Sequence, residues 1–194
     1  MTRQAVSKWE NGKGTPDIAN LMAIAALFQI SVDELLSNEK SDKKQSDYIY
    51  ESRTEYDIDG KKNFDIKLGG AYAVDLKAYH GEKIEVAMFS NVYKNLLADY
   101  KVKIDDIKNR IDIDLKRFNE ASEADAKESL VITIFIPVKY IGKIELSVNA
   151  GTLNITDIEN EHIEVNGKIS EVTLQGNKSE IEIDSNLRYA DQCF

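Results

Sequence analysis

One cysteine, two histidines and no long apolar run set the first limits on this 194-residue chain. Cys193 cannot form an internal disulfide, which excludes a disulfide scaffold and points to a reducing compartment. No signal peptide is visible in the sequence, and no segment approaches the roughly 20 apolar residues of a membrane span. A cytoplasmic protein is the expectation. His80 and His162 are far apart and lack metal-ligand spacing, so both read as satisfied surface side chains. Nucleophile elbow, Walker loop and dinucleotide fingerprint are all wanting, and Leu68-Gly69-Gly70 lacks the helix and lysine that would make it more than a turn. Asp105, Asp106, Asp112 and Asp114 cluster beside an expected hairpin, where they could hold a hard cation. Asp112 and Asp114 alternate with Ile111 and Ile113, however, as the solvent face of a strand does. No enzyme activity, cofactor or resident metal is therefore expected.

What is present is a soluble composition, 42% hydrophobic and 30% charged, with a net charge of −9. The charge is unevenly spread. Residues 1–16 hold Arg3, Lys8 and Lys13 against Glu10, a local excess of two positive charges. Residues 48–194 hold 19 Lys/Arg and 27 Asp/Glu, a net of −8. Contact with a polyanion belongs to the N-terminus, because the larger part would repel phosphate.

The N-terminal stretch "TRQAVSKWENG" reads as a short helix. Thr2 is a suitable N-cap, Val6 and Trp9 share an apolar side, and Arg3, Gln4, Ser7 and Lys8 form a hydrogen-bonding, cationic front. Asn11-Gly12 ends it. Arg and Lys suit guanine edges in a major groove, and Gln suits adenine. A second helix is expected through "DIANLMAIAALFQ", with Thr15 as N-cap, Pro16 at the first helical position and Asp17 in the first turn. Its apolar positions are Ile18, Leu21, Met22, Ala25 and Phe28. "SVDELL" opens a third with a capping box, Ser31 and Glu34, and buries Val32, Leu35 and Leu36.

These three elements in order resemble the C-terminal three helices of Cro/phage-repressor-type (XRE) helix-turn-helix domains. The resemblance implies that the helix from Thr2 to Glu10 enters the major groove. Arg3, Gln4 and Lys8 would read bases, with Ser7 on the same front; Thr2, Asn11 and Lys13 would contact phosphate. The partner implied is double-stranded DNA, bound by a homodimer on paired half-sites. Family members also carry two helices ahead of the recognition helix, and Glu10 resembles a glutamate that pairs with an arginine there. The expectation is a helix-turn-helix remnant at residues 1–37, its missing helices encoded upstream and its DNA binding weak without them.

Residues 38–47, "NEKSDKKQSD", form a polar linker. From Tyr48 the hydrophobic period changes to two. Phe64, Ile66 and Leu68 alternate, as do Val74, Leu76 and Ala78; Ile84, Val86 and Met88; and Ile111, Ile113 and Leu115. Turn residues such as Asp59-Gly60, Gly69-Gly70, His80-Gly81 and Lys108-Asn109 punctuate them. "NEASEADAKES" suits a polar loop or short surface helix, and "LVITIFIP" a buried strand. The C-terminal part then repeats: Ile144/Ile163, Leu146/Val165, Leu153/Val172 and Ile155/Leu174 keep an offset of 19, and Ile163/Ile181 one of 18. Two short strands per unit are expected, joined by turns at Asn149-Ala150-Gly151 and Asn166-Gly167. Such a period suggests stacked β-solenoid rungs, with a β-sandwich as the alternative.

Residues 60 to 186, through "ITIFIP" and "NAGTLNITDI", resemble a bacterial adhesin-type β-domain family that also occurs fused behind repressor-type helix-turn-helix domains. The final "NLRYADQCF" breaks the rung pattern where another rung is expected. The fold class expected is mainly β: a solenoid-like or two-sheet β domain over 48–194, preceded by a short all-α remnant. The function expected is a DNA-binding transcription regulator with a sensory or interaction β domain. The alternative is an adhesin-like interaction module whose helical remnant does not bind DNA.

Overall fold

The structure, a computed structural model, describes residues 16–28, 32, 48–119 and 121–185. The chain divides into two compact units, residues 1–45 and 46–194.

In the first unit, helix α1 spans Ile18–Phe28. Its cap differs from the expected Thr15: Asp17 is the capping residue, its Oδ1 accepting the backbone N–H of Asn20 at 2.8 Å. A carboxylate at that position also favours the positive end of the helix, so the helix starts after Asp17. The buried stripe is also narrower than the apolar spacing suggested. Ala25 is buried and Leu21 half-buried, but Ile18 and Met22, four residues apart on a neighbouring stripe, are 74% and 59% exposed.

The second unit is mainly β. Its strands are β1 Tyr50–Asp57, β2 Lys62–Tyr79, β3 Lys83–Ser90, β4 Tyr100–Ile107, β5 Arg110–Arg117, β6 Val131–Pro137, β7 Ile141–Thr156, β8 Glu159–Gln175 and β9 Lys178–Ser185. Short helices α2 (Leu96–Asp99) and α3 (Glu123–Ser129) interrupt them. The α3 segment takes the helical of its two expected forms because Ser122 caps it, Oγ accepting the N–H of Asp125.

The long strand β2 organises the sheet. Along one side it pairs with β7 through both of its halves. Along the other side its first half, Asn63–Lys67, pairs with β5, and its second half, Ala73–Tyr79, with β6. One arm therefore runs β4-β5-β2-β7-β8-β9, and the other β1-β3-β6-β2-β7-β8. The inward residues of both arms form a single core, in which Phe64, Ile66, Val74, Leu76, Ile132, Ile134, Leu146 and Ile155 are fully buried. The sheet does not close: among the described residues β1, β4 and β9 each pair on one side only.

The offset of 19 is the register of the stack. Ile144 pairs with Ile163, Leu146 with Val165, Leu153 with Val172 and Ile155 with Leu174, all in parallel. Ile163 then pairs with Ile181. Each rung thus presents its apolar residues to the same residues of the next, and the burial lost by a short strand is regained from its neighbour.

The expected turns at Gly69-Gly70, Asn149-Ala150-Gly151 and Asn166-Gly167 are instead corners within continuous strands. Gly69 makes its corner with φ +70, and a Cβ there would lie 2.7 Å from the Arg117 guanidinium. Gly167, at φ +139, passes so close to the rung below that a Cβ would sit 1.8 Å from the Val148 carbonyl oxygen. Glycine is required at both, which is why the pair of residues reads as a turn in sequence. The chain reverses between rungs elsewhere, at Asp157 (φ 57) and Gly176 (φ 65). Asn177 fixes the second reversal, accepting the N–H of Ile158 and donating to the carbonyl of Ile155.

Candidate nucleic-acid interface and the faces of the β domain

Thr2, Arg3, Gln4, Ser7, Lys8, Asn11 and Lys13, the candidate DNA-contacting residues, lie outside the described residues, as does the linker at 38–47. What is described of that unit is the helix that follows them, with Asp17 closing its N-terminus.

The β domain shows how its negative charge is arranged. Strand pairing brings Asp105, Asp112, Asp65, Glu145, Glu164 and Glu182 into one row across β4, β5, β2, β7, β8 and β9. Neighbouring strands lie about 4.8 Å apart, so like charges in such a row repel unless cations intervene. On the first three strands they do. Lys67 Nζ lies 2.7 Å from Asp65, Arg110 Nη2 2.9 Å from Asp112, and Lys103 bonds Asp105. These bonds, with the surrounding carboxylates, hold Lys67, Lys103 and Arg110 above their ordinary pKa values. On β7, β8 and β9 the row has no lysine or arginine within salt-bridge distance among the described residues, and Glu164 accepts the amide of Asn166. The outer face becomes more acidic toward β9, where Glu180 and Asp184 flank Glu182.

The aspartate cluster near the β4–β5 hairpin resolves into separate ion pairs. Asp106 accepts Lys62 Nζ at 2.8 Å, Asp105 pairs with Lys103, Asp112 with Arg110, and Asp114 lies 3.6 Å from Lys116. Among the described residues no group of three or more His, Cys, Asp or Glu side chains is arranged to hold a metal ion. His80 is exposed; His162 lies within β8 rather than at a turn, with Nδ1 3.8 Å from Glu180.

A shallow depression of about 390 Å³ lies at the entry of the rungs, lined by Lys61, Lys62, Asn63, Lys143 and Glu161 among others. Lys62 is committed to Asp106 and the Lys108 carbonyl, and Lys143 stands 3.8 Å from Glu161. Asn63 Oδ1 accepts the N–H of Lys143, tying β2 to β7. These groups hold the edge of the stack together, and Lys61 is the one lining charge without an ion pair among the described residues.

A more specific polar site surrounds Glu123 at the first residue of α3. Asn149 Nδ2 donates to its carboxylate at 3.0 Å, with Lys127 at 3.3 Å and Arg117 at 3.6 Å. The Asn149 bond, then Lys127 and Arg117, hold Glu123 below the usual carboxylate range. Asn149 Oδ1 in turn accepts the N–H of Lys168, so α3 is linked through one amide to β7 and β8. A sequence reader sees Glu123 only with Lys127 four residues on, because its other two partners come from 6 residues before and 26 after it.

Comparison with known proteins bears on both units. Residues 1–35 match the helix-turn-helix family model. Over 40 residues the chain is 48% identical to the HTH-type transcriptional activator BcrR of Enterococcus faecalis, covering 21% of this chain. The chain spans about a fifth of the length of that relative. Solved structures resemble the β domain: an adhesion-type protein of Clostridium sporogenes, at TM-score 0.42 and 8% identity, covers 71% of this chain and 95% of its own. An adhesin-type protein of Parabacteroides merdae, at TM-score 0.33 and 14% identity, covers 71% of this chain and 59% of its own. Among the described residues no helix is long and apolar enough to cross a membrane.

Proposed function

We propose that this chain is a cytoplasmic, non-enzymatic transcription regulator of the XRE type. Its N-terminal unit reads duplex DNA as a homodimer, and its β domain senses a signal or binds a partner. The observation that carries the reading is the match of residues 1–35 to the helix-turn-helix family model, which contains the cationic front of Arg3, Gln4, Ser7 and Lys8. The transcriptional activator to which this same region is similar supports it further. Arg3, Gln4 and Lys8 read base edges; Thr2, Asn11 and Lys13 hold phosphates and set the register. The β domain contributes no DNA contact, because its outer face is acidic and opposes phosphate.

The test is a titration of genomic DNA fragments followed by fluorescence anisotropy at several salt concentrations. Arg3→Ala or Gln4→Ala should cost about 1–3 kcal/mol and relax specificity at one base position. Lys13→Ala should weaken binding across all sequences and flatten the salt dependence. Identical specificity profiles for the three variants would refute the roles. A second reading, an adhesin-like interaction module without DNA binding, draws on the row of Glu145, Glu164 and Glu182, which has no ion-pair partner among the described residues. Complete indifference of the chain to DNA would favour it.

A further inference from the structure

The two ends of one sheet arm are complementary to each other. β4 and β9 terminate the arm β4-β5-β2-β7-β8-β9, and among the described residues each pairs on one side only. An unpaired strand edge offers a row of N–H and C=O groups to another strand, and proteins usually blunt it with charge. Here the charges differ in sign. β4 turns Lys101 and Lys103 outward; β9 turns Glu180, Glu182 and Asp184 outward. On the inner side Val102 and Ile104 of β4, and Ile181 and Ile183 of β9, are only half-buried although they pack against the core. Among the described residues the apolar rows therefore run out at both edges without being covered.

Strand direction fits the same pairing. β4 is antiparallel to β5, whereas β5, β2, β7, β8 and β9 run parallel in succession. A second copy in the same orientation thus brings its β4 antiparallel to β9 of the first. One register matches both faces. It sets Ile181 and Ile183 against the second copy's Ile104 and Val102, and Glu182 and Asp184 against its Lys103 and Lys101. The single unfavourable pair, Glu180 with Asp105, is softened because Asp105 is already bonded to Lys103. Other edge pairings are poorer. A two-fold β9–β9 contact sets the three acids against one another, and β1, another edge, turns outward Glu51, Arg53, Glu55 and Asp57 and inward Ser52 and Thr54, so it offers neither a single sign of charge nor an aliphatic row. Symmetric β4–β4 pairing that sets Val102 against Val102 or Ile104 meets lysine with lysine.

We infer that the β domain self-associates head to tail, the β9 edge of one copy pairing with the β4 edge of the next. The contact is heterologous, so each added copy leaves one β4 and one β9 edge free, and growth is open-ended. This goes beyond the DNA-binding reading and does not depend on it.

Sedimentation velocity of the full chain at low salt, over a wide range of concentration, tests the inference. The wild-type average mass should rise past that of a dimer without a plateau and fall as salt is added. The double reversals K101E/K103E and E182K/D184K should each weaken association at least about tenfold, since each sets like charges face to face. An equimolar mixture of the two should recover it, because the β9 lysines of one meet the β4 glutamates of the other. Circular dichroism checks that each variant is folded; where a reversal unfolds, K101Q/K103Q and E182Q/D184Q serve instead and should weaken association and its salt dependence. A monomer at all concentrations, a plateau at the dimer, association indifferent to both variants, or loss on only one edge would each overturn the proposal.

Discussion

Ile155 and Leu174 hold the same position in successive rungs, paired directly across β7 and β8, yet one is fully buried and the other 47% exposed. Truncating each to alanine compares equal chemistry at two depths of one stack. Each change deletes three carbon groups, worth about 2.4 kcal/mol at about 0.8 per buried group. At Ile155 all of that is lost, and the neighbours Leu76 and Leu174 cannot collapse fully into the space, so about 2–5 kcal/mol is expected. At Leu174 about half the surface is already in water and the gap opens to solvent, so the loss is about 1 kcal/mol. Urea denaturation followed by far-UV circular dichroism reports the β domain, while the single tryptophan, Trp9, belongs to the N-terminal segment and can be followed separately. A midpoint shift with unchanged slope gives the stability difference. If Leu174→Ala cost as much as Ile155→Ala, the fading of burial toward the β9 end would be wrong.

Gly167→Ala should destabilise by more than the about 1–3 kcal/mol of an unfavourable φ alone, because the new methyl also meets the Val148 carbonyl; a thermal melt unchanged from wild type would contradict the close approach of β8 to β7. Glu123 has a folded-state pKa depressed by Asn149, Lys127 and Arg117, so its contribution is present above the ordinary carboxylate range and lost as pH falls through the lowered value. Glu123→Gln should therefore lower the melting temperature at neutral pH by a small amount, the site being partly exposed, and the gap should narrow in acid; a gap independent of pH would remove the charge from the account. Ser122→Ala should cost about 0.5–2 kcal/mol through loss of the α3 cap, measured by the same melts, and a loss near zero would mean the cap does not matter there.

The rungs were legible because an in-register parallel stack repeats itself in sequence. Leu146/Val165 and Ile155/Leu174 are direct neighbours at the spacing read from the chain. The buried strand at Val131–Pro137 was legible for a simpler reason, an apolar run with almost no solvent face. Strand β1 was not, because its inward positions include Ser52 and Thr54 and no aliphatic side chain. Nor was the continuity of β2 through Gly69-Gly70, since glycine marks a tight turn and an in-strand corner equally well. Pairing of β2 with β7 has no local signature at all. In α1 the sequence offers both Thr15 and Asp17 as capping residues, and the bond from Asn20 to Asp17 has no signature in the sequence. The acidic row is invisible as such, for each strand contributes one ordinary solvent-facing carboxylate and only the register lines them up.

That β2 is the shared spine of both arms has a consequence during synthesis. Asn63 bonds Lys143 across 80 residues of sequence, whereas successive rungs are 19 apart. At about 5–20 residues per second, β2 leaves the ribosome roughly 4–16 s before its β7 partner is made. During that interval its apolar side, Phe64 through Leu76, has only β5 and β6 to lean on as they appear, and the β7 edge of β2 stays open. Rungs β7 to β9 close over short loops and assemble as fast as they emerge. The species with the most uncovered apolar surface is therefore the nascent chain ending near residue 140, in which β2 is made and β7 is not.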